Sequence, residues 1–176
     1  MKTRLLAFAM LFITAAALAD PLTYTAPSRS EITPETVLEQ MNAERAGRGL
    51  GPLRIDSRLS EAAHDRMADM EDLGYWAHQS PDGRSPFSWL STRDYPFANA
   101  GENLASGFET AEVLVSSWME SPGHRDNIVS PLYQDCGIAI IDGATTRRAA
   151  GKSIVVLFAR PLVRMVPTTT RTARNR

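Results

Sequence analysis

One turn-forming stretch of this chain reads Ser121-Pro122-Gly123-His124-Arg125-Asp126-Asn127-Ile128, with a histidine directly after a proline and a glycine. Nearer the N-terminus, Gly101-Glu102-Asn103-Leu104-Ala105 carries a glutamate, and Tyr75-Trp76-Ala77-His78-Gln79-Ser80 carries a second histidine. Two imidazoles and a carboxylate are the groups that a divalent metal or an acid/base site needs, and sites are often built among loop-forming residues. His78, Glu102 and His124 are therefore candidates for a single polar site.

Each of these residues also has a purely structural interpretation. Their separations of 24 and 22 residues do not form a local metal motif such as His-Glu-x-x-His, so spacing alone does not show that they converge. His78 can lie at the rim of a short strand, and His124 can orient a turn. Glu102 can accept backbone hydrogen bonds and brace its loop. The third histidine, His64, lies between acidic residues of a predicted helix and is interpreted as a solvated surface residue.

The first 19 residues have the composition of a secretory signal peptide. Lys2 and Arg4 precede an apolar run over 5–18, and Ala17-Leu18-Ala19 supplies the small residues that signal peptidase reads, so we expect cleavage before Asp20. As a helix the run spans about 21 Å, which is short of the roughly 30 Å core of a membrane. The protein is therefore expected to be exported to the periplasm or the medium, without a transmembrane segment.

We divide the chain into a signal peptide over 1–19, an N-terminal lead over 20–33, one domain over 34–162 and a basic tail over 163–176. A domain of this size buries enough apolar surface to fold without disulfides. The single cysteine, Cys136, opens an apolar run and is expected to be a buried strand residue rather than a reactive thiol.

Charge is distributed unevenly along the chain. All 20 acidic residues lie at or before Asp142, whereas residues 143–176 include eight basic residues and no acidic one. The end of the chain lacks apolar periodicity and is predicted to be disordered. Such a tail can contact an anionic wall polymer, lipid headgroups or nucleic acid, fold back on the acidic domain, or stay solvated. A specific nucleic-acid partner is not expected.

Helices are predicted in the first two thirds of the domain. Thr33 is a good N-cap for a first helix over about 34–46. The clearest helix spans 57–73, where apolar residues recur at helical spacing. A short helix is expected after Ser85-Pro86, and another over 111–121.

Strands are predicted towards the C-terminus. Residues 137–141 and 153–158 form continuous β-branched and apolar runs, which are typical of two buried antiparallel strands. Residues 75–78 are a possible third, short strand. The chain is therefore predicted to be an α+β protein with a small antiparallel sheet covered by helices.

Four motifs follow one another along the chain. They are His-Gln-Ser-Pro-Asp-Gly-Arg-Ser-Pro-Phe at 78–87, Gly-Glu-Asn-Leu-Ala at 101–105, Trp-Met-Glu-Ser-Pro-Gly-His-Arg-Asp-Asn-Ile at 118–128, and Cys-Gly-Ile-Ala at 136–139. In this order they resemble bacterial members of the CAP superfamily, also called SCP-like extracellular proteins. The resemblance spans about 37–160 and implies secretion, an α-β-α sandwich, and a cleft where two histidines and one or two glutamates gather.

Carried over by motif, the resemblance implies a binding cleft. Its residues are His78, Glu102, His124, Ser121 and Asn103. In animal members a further glutamate stands where this chain has Ser121, and Glu120 is one residue short of that position. Because a shift of one helical position turns a side chain by about 100°, Glu120 is not assigned to the cleft. Asn103 and Asn127 are interpreted as amides that brace the surrounding loops.

Three functions are consistent with these residues. The leading interpretation is a secreted binding module whose His/Glu cleft takes a small apolar or cell-envelope-derived ligand, because no nucleophile elbow, phosphate loop or cysteine zinc motif accompanies it. The first alternative is a hydrolase in which His78 and His124 bind a divalent metal such as zinc and Glu102 is the catalytic base. The second alternative is an envelope-associated interaction protein that acts through its basic tail.

Overall fold

The computed structural model describes residues 31–143 and 151–162. The predicted signal peptide and the predicted tail lie outside the described residues, as does most of the predicted lead. The described residues form five helices and four strands. In chain order these are α1 (Pro34–Ala46), β1 (Arg54–Ile55), α2 (Ser57–Asp72), α3 (Ser88–Thr92), β2 (Phe97–Phe108), α4 (Ala111–Glu120), α5 (Pro122–Ile128), β3 (Asp135–Asp142) and β4 (Lys152–Pro161).

Local capping fixes where the predicted helices begin. The Thr33 hydroxyl accepts the Thr36 N–H at 3.2 Å, and the Thr36 hydroxyl accepts the Thr33 N–H at 2.9 Å, which gives α1 a reciprocal cap. The Asp56 carboxylate caps α2 by accepting the Arg58 N–H at 2.9 Å. These caps satisfy amide groups that have no partner inside the helix. The predicted helices α1 to α4 are therefore confirmed, each within a few residues of its expected bounds.

The four strands form one sheet in the order β1-β3-β4-β2. The pairs β3–β4 and β2–β4 are antiparallel, whereas the two-residue strand β1 pairs with β3 in parallel. The two strands predicted from apolar runs are thus confirmed as the neighbours β3 and β4. Because β2 lies at one edge of the sheet, its outer backbone groups face away from β4.

The prediction of a short third strand over residues 75–78 is wrong. Residues 75–78 form no strand, because the carbonyl of Ala77 accepts a hydrogen bond from Arg66 of α2 instead of joining a ladder. The third long strand is β2, whose glycines and asparagines have low strand propensity. Pairing with the strongly β-forming strand β4 over most of its length overrides that local preference.

The sheet is covered on both faces, so the fold is an α-β-α sandwich. Alternate residues of β4 enter two separate hydrophobic clusters, as the two-residue period of a strand requires. Ile154, Val156 and Phe158 pack with α1, α4 and α5, whereas Val155, Leu157 and Ala159 pack with α2 and α3. Cys136 of β3 is fully buried in the first cluster, which confirms its predicted position.

Candidate functional site

The residues of the candidate polar site lie on and beside the edge strand β2. The Glu102 carboxylate lies on this strand rather than in a loop, and its Oε1 is 2.7 Å from Nδ1 of His78. His78 lies in the connection after α2, with 60% of its side chain exposed, whereas the Glu102 side chain is 2% exposed. The structure therefore brings two of the three predicted residues into direct contact.

Strand alternation sends the two polar residues of the Gly-Glu-Asn motif to opposite faces of the sheet. Glu102 meets α2 on one face, as does Leu104, which belongs to the cluster under α2 and α3. Asn103 is fully buried on the other face, where its Nδ2 donates to the carbonyl of His124 at 3.1 Å. Asn103 thus supports the His124 backbone.

His124 lies on α5, a helix that the sequence did not reveal because its seven residues include a proline and a glycine. Asn127 of the same helix donates through Nδ2 to the carbonyl of Glu102 at 3.1 Å and to Oδ1 of Asn103 at 2.8 Å. These bonds fasten α5 to the open edge of β2. Both asparagines therefore brace the site, though they join a helix to a strand rather than bracing loops.

Arg66 is the site residue that sequence reasoning missed. Its side chain is fully buried, and its Nε donates to Oε2 of Glu102 at 3.0 Å. Its two terminal nitrogens donate to the Tyr75 hydroxyl and to the Ala77 carbonyl. One signal was present: Arg66 occupies the apolar stripe of α2, four residues after Ala62 and four before Met70. A lone arginine at such a position indicates a buried partner.

The residues around Arg66 make further polar contacts with one another. The Tyr75 hydroxyl donates to Asp69 and lies 2.9 Å from the Ser80 hydroxyl. Arg84 donates to the other oxygen of Asp69 at 2.7 Å, and its guanidinium lies 5.0 Å from the centre of the Trp89 ring. The turn that follows His78 is therefore held against α2 by polar contacts.

The two histidines of the site have opposite electrostatic surroundings. The hydrogen bond to Glu102 raises the pKa of His78 above its ordinary value, although burial opposes the change. Burial lowers the pKa of His124, and the charge of His78 lowers it further. His78 is thus the more basic of the two imidazoles. His64, in contrast, is an exposed residue of α2.

An open groove of about 470 Å³ lies beside His78 and Glu102. Ser85, Pro86 and Phe87 also line it. The Phe87 ring packs edge-on against Phe97, with ring centres 6.3 Å apart, and this contact supports the Phe87 side chain. A depression of about 510 Å³ lies beside Arg58, Ser91, Asp94, Tyr95 and Pro96 and contains none of the predicted site residues.

The other residues predicted for the cleft are not among those that line this groove: His124, Ser121 and Asn103. Ser121 joins α4 to α5, and its carbonyl accepts the Arg125 N–H at 2.8 Å. Glu120 lines a separate depression on α4 together with Glu112. Trp89 and Trp118 are buried in the two clusters, which agrees with a core role for these aromatics.

The donor set does not fit a three-ligand metal site. Within residues 31–143 and 151–162, no three His, Cys, Asp or Glu side chains are placed to hold one ion. Both Glu102 oxygens already have partners, Arg66 and His78, so this carboxylate has the position of a group that orients an imidazole. The zinc hypothesis therefore depends on two imidazoles, His78 and His124, and stays a prediction.

The chain resembles known proteins over most of its described length. It matches the model of the CAP family, described as the cysteine-rich secretory protein family, over residues 38–158. It is 39% identical over 132 residues to the uncharacterized protein YkwD of Bacillus subtilis, covering 74% of this chain and 51% of YkwD. It is 29% identical over 104 residues to the uncharacterized membrane protein YlbC of the same bacterium, covering 59% of this chain and 30% of YlbC. The chain thus spans about half or less of these relatives.

Solved structures share the fold. An extracellular protein containing a SCP domain from Bacillus anthracis is 22% identical with a TM-score of 0.61, covering 74% of this chain and 45% of that one. An outer surface protein from Borrelia burgdorferi is 22% identical with a TM-score of 0.64, covering 76% of this chain and 99% of that one. With the sandwich, the ordered motifs and the family match all in agreement, this chain belongs to the CAP family of cysteine-rich secretory proteins.

Proposed function

We propose that this protein is an exported CAP-domain binding protein whose groove beside His78 takes a small, partly apolar ligand derived from the cell envelope. The observation that carries the proposal is the composition of the groove. Pro86 and Phe87 provide apolar lining, and the imidazole of His78, held by Glu102, provides a polar group in the same groove. A ligand with both an apolar part and a hydrogen-bonding group is complementary to such a site.

The apolar lining and His78 make different contributions to binding. Burial of a ligand's apolar surface against Phe87 contributes about 25 cal/mol per Å² before the costs of association. His78 adds a hydrogen bond that fixes the orientation of the ligand. Such a bond is worth about 1 kcal/mol net, so the apolar lining is expected to supply affinity and His78 specificity.

Export is supported by the relatives and by the start of the sequence. Two similar structures are described as an extracellular protein and an outer surface protein. Residues 1–19 have the composition of a signal peptide. Among the residues that the structure describes, no helix is long and apolar enough to cross a membrane.

The binding function is tested by identifying what the purified protein carries. Organic extracts of the protein are examined by mass spectrometry, and a panel of membrane lipids and peptidoglycan fragments is titrated by calorimetry. We expect at least one compound to bind, and Phe87→Ala to weaken it by at least ~10-fold, about 1.4 kcal/mol. Leu132→Ala is the control, because Leu132 is 44% exposed and is not among the residues lining the groove. The absence of any ligand in both assays contradicts the proposal.

A hydrolase is the second candidate, favoured by the carboxylate-oriented imidazole of His78. An imidazole held by a carboxylate through Nδ1 has Nε2 free, and that nitrogen can either bind a metal or act as a general base towards water. In the metal-assisted reaction, His78 and His124 would hold zinc, which would supply the activated water. His78→Ala and His124→Ala should each reduce zinc affinity, and with it hydrolysis of envelope esters or amides, if this candidate is correct. Zinc affinity that is unchanged in both variants removes the metal-assisted reaction.

A further inference from the structure

A positive charge lies within the sandwich where the sequence provides an otherwise apolar helix face. Arg66 is fully buried beside Met67 and Met70, residues that pack in the cluster between α2 and the sheet. A cation is rarely buried without partners, because leaving water costs several kcal/mol. The contacts of Arg66 therefore indicate which groups it positions.

These contacts join the two segments that supply the groove's polar side. Towards β2, Arg66 Nε donates to Glu102 Oε2 at 3.0 Å. Towards the connection after α2, the terminal nitrogens donate to the Tyr75 hydroxyl and to the carbonyl of Ala77, the residue just before His78. The guanidinium also lies over the Trp89 ring, 5.0 Å from its centre. One rigid group thus sets the position of Glu102 relative to the backbone that carries His78.

We propose that Arg66 is a positioning residue, which fixes the Glu102–His78 pair so that neutral His78 carries its proton on Nδ1 and presents Nε2 to the ligand. With Oε2 of Glu102 taken by Arg66, Oε1 remains for His78, and the distance to Nδ1 is 2.7 Å. A carboxylate in an ion pair only accepts hydrogen bonds. The imidazole must then donate through Nδ1, so Nε2 is the ring nitrogen left for a ligand.

The planar shape of arginine is what this role requires. Its N–H groups point in fixed directions within one plane, so three partners are held in a defined arrangement. A lysine at the same position could pair with Glu102, but its flexible stem and single nitrogen would not hold Glu102 and Ala77 in a fixed relation. The inference depends on the proposed function for the importance of His78, and its test is made without any ligand.

The protonation site of His78 can be read directly by NMR. The protein has three histidines, so ¹⁵N labelling of histidine gives only three imidazole patterns, assigned with His64→Gln, His78→Gln and His124→Gln. Long-range ¹H–¹⁵N spectra are recorded at a pH where the imidazoles are neutral. We expect His78 in the unmodified protein to be the Nδ1–H tautomer. A dominant Nε2–H tautomer overturns the proposal without any variant.

Two substitutions of Arg66 test whether this residue sets the tautomer of His78 or only supports the fold. Arg66→Met is expected to shift His78 towards the Nε2–H tautomer, and Arg66→Lys, which keeps a buried cation to support folding, is expected to give a mixture. Arg93→Met is the control, because Arg93 also pairs with α2, through Asp65 at 2.6 Å, yet lies on the surface. An unchanged His78 tautomer in folded Arg66→Met or folded Arg66→Lys overturns the proposal. A failed ligand search with the expected tautomers contradicts only the proposed function.

Discussion

At the scale of single residues, the site contains two imidazoles that differ in basicity. His78 is paired with a buried carboxylate, and the hydrogen bond raises its pKa, whereas burial lowers the pKa of His124. His78 is therefore protonated at a higher pH than His124 is. The charge on His78 also acts on His124, so the two titrations are linked.

We expect NMR titration to find the pKa of His78 above 6.5 and that of His124 below it. His78→Gln removes a positive charge near His124 and should therefore raise the pKa of His124. The opposite order of the two site histidines would contradict the hydrogen bond between His78 and Glu102.

The raised pKa of His78 predicts that the stability of the protein depends on pH. Because the pKa of His78 is higher in the folded state, its contribution to stability is fully present below the pKa of an unfolded histidine and is lost as pH rises through the folded value. The pKa of His124 is lowered, so its contribution to stability changes with pH in the opposite direction. The measurement is therefore made in the His124→Gln variant. We expect urea unfolding of this variant to show stability falling from mildly acidic to mildly alkaline pH. Adding His78→Gln should remove that fall.

Cys136 is predicted to be unreactive in the folded protein. Burial raises the pKa of its thiol to about 12, and only the thiolate attacks disulfide reagents. An aromatic disulfide reagent should therefore label it only after unfolding in denaturant, which provides the positive control. Rapid labelling of the native protein would mean that β3 is accessible from solvent.

At the scale of secondary-structure elements, the backbone of α2 packs directly on β3 at Gly137. A methyl group added at Gly137 would lie 2.0 Å from the carbonyl carbon of Leu59, so glycine is required for the helix backbone to pack directly on the strand. This contact sets the position of α2 on the sheet. It thereby sets the position of Arg66, which lies on α2 and donates to Glu102. The packing of one helix therefore affects the geometry of the site.

Gly137→Ala is expected to destabilise the protein by about 1–3 kcal/mol or more, because backbone atoms rather than a movable side chain occupy the space. Gly51→Ala is the matched control, since no atom lies within 4 Å of an added methyl group there. The free energy of unfolding of both variants is measured in urea. Equal stability of the two would show that α2 can move away from β3 at little cost.

At the scale of the whole molecule, charge separates the end of the chain from the rest. Residues 20–142 contain 20 acidic residues and nine arginines, whereas every charged side chain in residues 163–176 is basic. A polybasic segment near an anionic surface contributes an attraction that falls with salt concentration. This leaves contact between the tail and an anionic envelope surface as a prediction independent of the groove.

Deletion of residues 163–176 tests this prediction and leaves β4, which ends at Pro161, intact. Cosedimentation with phosphatidylglycerol vesicles should be strong at low salt, weaken as salt is added, and be lost in the truncated protein. Neutral phosphatidylcholine vesicles are the control. Association that is insensitive to salt, or that survives the deletion, would exclude a role for the tail.

Several elements could be predicted because their signals are local. Thr33 and Asp56 mark helix starts by hydrogen bonds to neighbouring amides, and β3 and β4 are continuous runs of strand-forming residues. The strand β2 lacked such a signal because it is rich in glycine and asparagine, and the helix α5 lacked one because its seven residues include a proline and a glycine. Their conformations depend on partners elsewhere in the chain: β4 for the strand, and Asn127 contacts with β2 for the helix.

The family motifs, the α+β class and the residue types of the site are readable from the sequence alone, because motifs, caps and apolar runs lie within short segments. Tertiary packing is needed to place Glu102 between Arg66 and His78, and Asn103 on the opposite face of the sheet. Arg66 and Glu102 are 36 residues apart, so they meet only when α2 packs on the sheet. A side chain's partners, more than its type, thus define its role in this site.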